Sequence, residues 1–134
     1  MSKTELVMKV LEELDYEPEI DDDGDLLFMY QLKTMYVLIG NEEEKFLTLM
    51  LPQIHEVDDP DDVAPMLATC NRLCRQLKLV KVFIDNNLAK VNASCEFYYY
   101  DEASLKFYIE RALNFLGIVR PIFYKEYSEL KSDE

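Results

Sequence analysis

The side chains able to do chemistry are few in this sequence, and three groups of them can be tested against what that chemistry would need. Asp21-Asp22-Asp23-Gly24-Asp25 sets carboxylates around a glycine, as calcium loops do. Placing Gly24 on the invariant glycine of an EF-hand loop puts Glu19, Asp21 and Asp23 at its first, third and fifth positions. The twelfth position, which must supply a bidentate glutamate, then falls on Tyr30, and the loop fails. A capped turn before a strand is the better reading. Cys70 and Cys74 would leave a helix on the same side, but both lie on its apolar stripe. A zinc site needs two further ligands, with only His55 and Cys95 to supply them, so buried structural thiols are expected. His55 beside Glu56 is an acid–base pair in principle, yet no nucleophile stands in a G-x-S-x-G, Walker or H-E-x-x-H context. A solvated imidazole at a strand end is expected. These residues therefore predict no catalytic, metal or cofactor site and no enzyme. A small metal-dependent enzyme built from scattered residues around His55 and the acidic turn is the remote alternative.

The elements that would position these groups follow from hydrophobic spacing. Ser2-Lys3-Thr4-Glu5 fits a capping box, and Leu6, Val7, Val10, Leu11 and Leu14 then recur at helical spacing until Pro18. Leu26 to Lys33 reads as a first strand with Leu26, Phe28, Tyr30 and Leu32 on one face, and Lys33-Thr34 as the tight connection to Met35–Gly40. Phe46–Leu51 makes the third strand, ended or bulged at Pro52. Such short turns favour antiparallel pairing. Asp59-Pro60 or Asp62 can cap a second helix, and Pro65 favours the later start. Its stripe is Val63, Met66, Leu67, Cys70, Leu73, Cys74 and Leu77. Val80, Val82 and Ile84 alternate in a fourth strand, Asn86-Asn87 suits a two-residue hairpin, and Ala89 to Phe97 returns as a fifth. Asp101 caps a last helix with Leu105, Tyr108, Ile109, Ala112, Leu113 and Leu116 inward, which Gly117 and Pro121 should kink or break.

Charge narrows the partners. Twenty-seven acidic residues stand against 14 basic ones, a net charge of −13, and ten of the acids fall in residues 1–25. With no Lys/Arg cluster to release counterions, neither nucleic acid nor an anionic membrane is an expected partner. The length of 134 residues suits a single domain over 1–134. No apolar run approaches the ~18–20 residues of a spanning helix, and the first residues lack the apolar core of a signal peptide. Three cysteines, an odd number, fit free thiols in a reducing compartment, so a cytoplasmic protein is expected.

The chain also holds more apolar surface than its core requires. Phe107, Phe115 and Ile118 lie outside the inward stripe of the last helix, and Phe97-Tyr98-Tyr99-Tyr100 puts aromatics on both faces of the last strand. Either these residues form an interface or both sheet faces are covered and the tail folds back over the helix. Tyr98, Tyr100, Phe107, Phe115 and Ile118 are accordingly the candidate partner or dimer contacts.

The order of elements is helix, three strands, helix, two strands, helix. Together with Asp23-Gly24-Asp25-Leu26-Leu27-Phe28, Leu47–Pro52, Asn71-Arg72-Leu73, Lys81-Val82-Phe83-Ile84-Asp85, Val91–Phe97 and Leu105–Leu116, it resembles the bacterial YbjN family of the type III secretion chaperone-like fold. Cys74 stands where family patterns often carry a second Asn. The resemblance implies an α+β fold with a five-stranded, mostly antiparallel sheet packed with helices. It also implies a homodimer that binds an extended or partly unfolded protein segment as a chaperone does, or a regulatory adaptor in sensory transduction or stress response whose partner is folded. It supplies no catalytic residue.

Overall fold

Amphipathic helices and alternating strands have one economical arrangement, in which the helices cover one face of the sheet, and the computed structural model, which describes residues 1–132, takes it. Helix α1 (Lys3–Glu13) opens on the expected capping box, with Ser2 accepting from the Glu5 amide. Then come β1 (Glu19–Ile20), β2 (Leu26–Tyr30), β3 (Lys33–Leu38) and β4 (Phe46–Glu56). A 3₁₀ turn, Pro60–Asp62, leads into α2 (Val63–Gln76), followed by β5 (Val80–Ile84), β6 (Lys90–Tyr98), α3 (Glu102–Gly117) and α4 (Val119–Ser132). The strands form one antiparallel sheet in the order β1-β2-β3-β4-β6-β5.

This is an α+β fold with six strands where five were expected. The extra strand is β1, two residues after Pro18, pairing Glu19 with Leu27 and Ile20 with Leu26. Two residues carry no period-two signal, so sequence alone cannot announce it. The β2–β3 turn also lies earlier than expected. Gln31 and Leu32 both have positive φ (51° and 65°), and Tyr30 pairs with Lys33, so these two residues are the hairpin turn and Leu32 is no strand residue. Asn86-Asn87 is likewise not a two-residue hairpin: the Asp85 amide bonds the Lys90 carbonyl and Leu88 takes the positive φ, giving a longer loop. Strand β4 runs on past Pro52, because a register shift between Leu51 and His55 absorbs the missing donor while pairing with β6 resumes at His55–Val91.

The buried residues form one cluster. Leu26, Phe28, Met35, Val37, Leu47, Leu49, Leu51, Val82, Val91 and Cys95 supply the sheet side, and Val7, Val10, Leu11, Met66, Leu73, Leu105, Ile109, Leu116 and Phe123 the helix side. Leu67 and Cys74, expected inside α2's stripe, are exposed. The α3–α4 break falls where Gly117 and Pro121 predict it. A side chain on Gly117 would meet the Tyr30 ring at 3.2 Å, so the β2–β3 turn approaches the helix junction closely. No helix is long and apolar enough to cross a membrane among the described residues.

Candidate functional site

Each of the three tested groups meets partners within the fold. In the acidic turn the Asp21 carboxylate accepts from the Asp23 and Asp25 amides at 2.9 and 3.0 Å, and Asp25 accepts from Ile39 N–H at 2.9 Å. Gly24 takes φ +84°, where a side chain would be strained. The Asp21 carboxylate thus serves the turn's own backbone and Asp25 ties the turn to the end of β3. Cys70 and Cys95 are buried, and burial pushes each thiol up to about 11, which suppresses the reactive thiolate. Cys74 is exposed rather than buried; its Sγ accepts from Val82 N–H at 3.2 Å and lies 3.4 Å from Val82 O. Because β5 is the outermost strand, this thiol occupies a ladder position that would otherwise be open.

His55 differs from the solvated imidazole expected. It is half-buried, with its ring 5.5–6.1 Å from those of Phe123, Tyr124 and Tyr127 on α4. Its Nδ1 lies 3.3 Å from Tyr124 Oη, whose own proton is donated to Ile54 O at 2.9 Å, so the imidazole Nδ1 is the donor of that pair. Nε2 lies 3.6 Å from Asp62 Oδ2. Asp62 also accepts from the Tyr127 hydroxyl and meets Lys131 Nζ at 3.0 Å. Burial would raise this carboxyl, but the bonds from Tyr127 and Lys131 and the nearby cations outweigh it and hold it below the usual range. The adjoining cleft, about 330 Å³, is lined by Glu56, Asp58, Asp59, Asp61 and Pro65 besides these groups, with no Ser, Thr or Cys among them. Through these contacts Asp62 and His55 clamp α4 against the end of β4 and the start of α2.

The uncovered face of the sheet is the larger feature. Outside the β4 bulge, buried and less buried residues alternate along β2, β3, β4 and β5, so the neighbours of the core residues face away from the helices, while in β6 Ala93, Ser94 and Cys95 are all buried. Across the strands, Leu27, Tyr36, Met50, Ser94 and Lys81 form one row; Leu38, Thr48 and Glu96 form the next; Phe46 and Tyr98 form a third, with ring centroids 5.0 Å apart. These three rows carry three charges: Lys81 and Glu96, which pair with each other, and Glu19 at the β1 end of the first row. Glu56 and Lys90 stand at the margins. A chain of net charge −13 thus keeps this apolar face nearly free of carboxylates.

The five candidate contact residues do not share one surface. Tyr98, 66% exposed, belongs to the uncovered sheet face, and Tyr100, 75% exposed, to the connection into α3. Phe107 (56%) and Ile118 (44%) lie on the outer side of α3 and at its end, with the Arg111 guanidinium 5.6 Å above the Phe107 ring. Phe115 is half-buried against the core. Tyr99, between Tyr98 and Tyr100, is buried. Sequence reading missed Leu27, Tyr36, Leu38, Phe46 and Met50. Their alternation with core residues was visible, but whether a second helical layer covered them was not.

A protein-family model, YbjN, described as "Putative bacterial sensory transduction regulator", matches residues 3–90. The chain belongs to the YbjN family. Among solved structures, family resemblance extends to the whole fold: E. coli YbjN, described as "a putative transcription regulator", superposes with a TM-score of 0.69 at 12% identity over 94% of this chain and 92% of its own. A chain of the HopA1-SchA chaperone–effector complex gives 0.57 at 16% identity, covering 90% and 91%. An uncharacterised protein from Methanothermobacter thermautotrophicus gives 0.53 at 12%, covering 92% and 98%. No curated protein matches the chain.

Proposed function

We propose that this protein is a non-enzymatic binding module that holds an extended or partly unfolded protein segment across the uncovered face of its sheet. The observation that carries this reading is the group of Leu27, Tyr36, Leu38, Phe46, Met50 and Tyr98 on the sheet face turned away from the helices, among which Lys81 and Glu96 pair with each other, on a strongly acidic molecule. An extended chain matches a pleated face because its alternate side chains meet the grooves between rows. The shared fold with a protein of a chaperone–effector complex supports the same reading. The acidic periphery would favour segments flanked by Lys and Arg.

The test is protection of a chemically unfolded protein from aggregation on dilution, followed by light scattering. Met50→Glu and Phe46→Glu each place a desolvated charge within the rows, so protection should weaken by about tenfold while the far-ultraviolet circular dichroism stays unchanged. Undiminished protection by both folded variants would remove the sheet face as the site.

The outer side of α3 supports a second reading, a homodimer or a folded signalling partner, because Phe107 and Ile118 are large apolar groups exposed along one helix. Solution mass measured by light scattering should then show a wild-type dimer that Phe107→Asp converts to a folded monomer. A monomeric wild type would end the homodimer reading.

A further inference from the structure

A second cleft lies where the β2–β3 turn, the β4 bulge and the start of α4 meet. It has a volume of about 310 Å³, and Leu32, Lys33, Thr34, Tyr36, Gln53 and Arg120 are among its walls. No Asp or Glu lines it, although the chain carries 27 of them. Arg120 donates from Nη2 to Gln53 O at 3.1 Å, and its Nε is buried without a partner. Among the described residues neither Arg120 nor Lys33 pairs with a carboxylate. A partly buried guanidinium facing one neutral carbonyl has most of its donors and all of its charge uncompensated, and a planar oxyanion is the group that satisfies both.

The backbone around the cleft is held in an unfavourable conformation. Leu32 and Gln53 have φ of +65° and +55°, in the left-handed region that bulky side chains avoid. Leu32 is 95% exposed there. A leucine at a hairpin tip where glycine or asparagine would be unstrained buries almost no apolar area there, and it lines the cleft together with Tyr36 and Pro52.

We propose that this cleft binds an α-carboxylate carried beside an apolar side chain, with Arg120 and Lys33 holding the carboxylate and Leu32 and Tyr36 flanking the side chain. The volume lies near the lower end of ligand sites, roughly 300–1,000 Å³, and suits one residue rather than a nucleotide. Such a carboxylate can come from a free amino acid or from the last residue of a polypeptide. The lining favours the chain end, because a free amino acid brings an ammonium that would find two cations and no carboxylate.

The test is a titration of the full-length ¹⁵N-labelled protein with N-acetyl-leucine, N-acetyl-leucinamide, leucine and inorganic phosphate. N-acetyl-leucine should shift the Lys33, Thr34 and Gln53 amides saturably, with leucine at least several-fold weaker and the amide inert. Arg120→Gln should weaken binding by about tenfold or more. Because Arg120 also braces the bulge, Lys33→Gln provides the variant that breaks no hydrogen bond of the fold, and it should weaken binding severalfold. No saturable shift by about 20 mM N-acetyl-leucine would overturn the site. Equal binding of the amide, or wild-type affinity in both variants, would overturn the carboxylate. Phosphate binding as tightly as N-acetyl-leucine would replace it with a general oxyanion, and leucine binding as tightly would overturn the chain end.

Discussion

Phe123→Ala should cost the fold about 3–5 kcal/mol, the largest effect expected of any single truncation outside the sheet. Phe123 is fully buried on α4, stacked on Tyr127 at 6.2 Å and edge-on to Tyr124 at 5.6 Å. It also closes the pocket in which His55 sits, 6.1 Å from its ring. Truncation removes the apolar area and leaves a cavity that two flanking tyrosines, each tied by its hydroxyl, cannot collapse into. Urea unfolding should show the loss directly, and the melting temperature should fall by more than about 10 °C. A loss below about 1 kcal/mol would mean that α4 is an appendage. The question matters because the family match ends at residue 90 and leaves α3 and α4 beyond it.

The elements legible in the sequence were those whose signal is local. Ser2-Lys3-Thr4-Glu5 announces a cap because every partner lies within one turn of helix, and β6 announces itself by alternation over nine residues. The misplaced features all depend on distant partners. Leu32 continues the Leu26-Phe28-Tyr30 alternation, so the pattern runs straight through a turn whose position is fixed by pairing with β3 and by the approach of Tyr30 to Gly117. Pro52 read as an end or a bulge, and which of the two it is depends on β6: pairing resumes beyond it at His55–Val91, and Asn92 Oδ1 takes the Gln53 amide at 2.9 Å to hold the bulge. Cys74 fits a helical stripe by angle, but the stripe is wider than the contact, and the thiol meets the edge of β5 instead.

The candidate surfaces were legible to a lesser degree for the same reason. Phe107 and Ile118 could be recognised as surplus because a helix has one inward face and they fall off it. The sheet face could not, since alternation leaves an outward set whether or not a second layer covers it. The oxyanion cleft and the α4 clamp left no trace in spacing at all. Arg120 and Lys33 are 87 positions apart, and Asp62 and Tyr127 are 65 apart.

Asp62 yields the second large effect, and one that depends on pH. As the residue before α2 it stands where a side chain usually caps the helix, yet its carboxylate makes no cap bond. Asp59 caps the preceding 3₁₀ turn, and Asp62 turns instead to Tyr127, Lys131 and His55. A charge-assisted bond from a half-buried phenol contributes about 1.5–3 kcal/mol, whereas the exposed Lys131 partner is screened by solvent and adds little. Asp62→Ala should therefore cost about 2–3 kcal/mol at neutral pH and lower the melting temperature by roughly 6–12 °C. The sign of the pH dependence follows from the depressed carboxyl. Its contribution is full above the unfolded aspartate value of about 3.9 and is lost as pH falls through the lower folded value. The Tyr127 phenol is shifted the other way, upward, by burial and by Asp62, so the clamp also weakens as pH rises beyond the ordinary tyrosine range. The gap between wild type and Asp62→Ala should hold across neutral pH and narrow at both ends. Asp62→Asn, which still offers Tyr127 an acceptor, should recover part of the loss without the acid narrowing. Chemical unfolding of the three proteins from about pH 2 to about pH 12 decides the matter: a gap still full at the acid end would place the energy of the clamp in α4's apolar contacts alone, with Asp62 as a bystander.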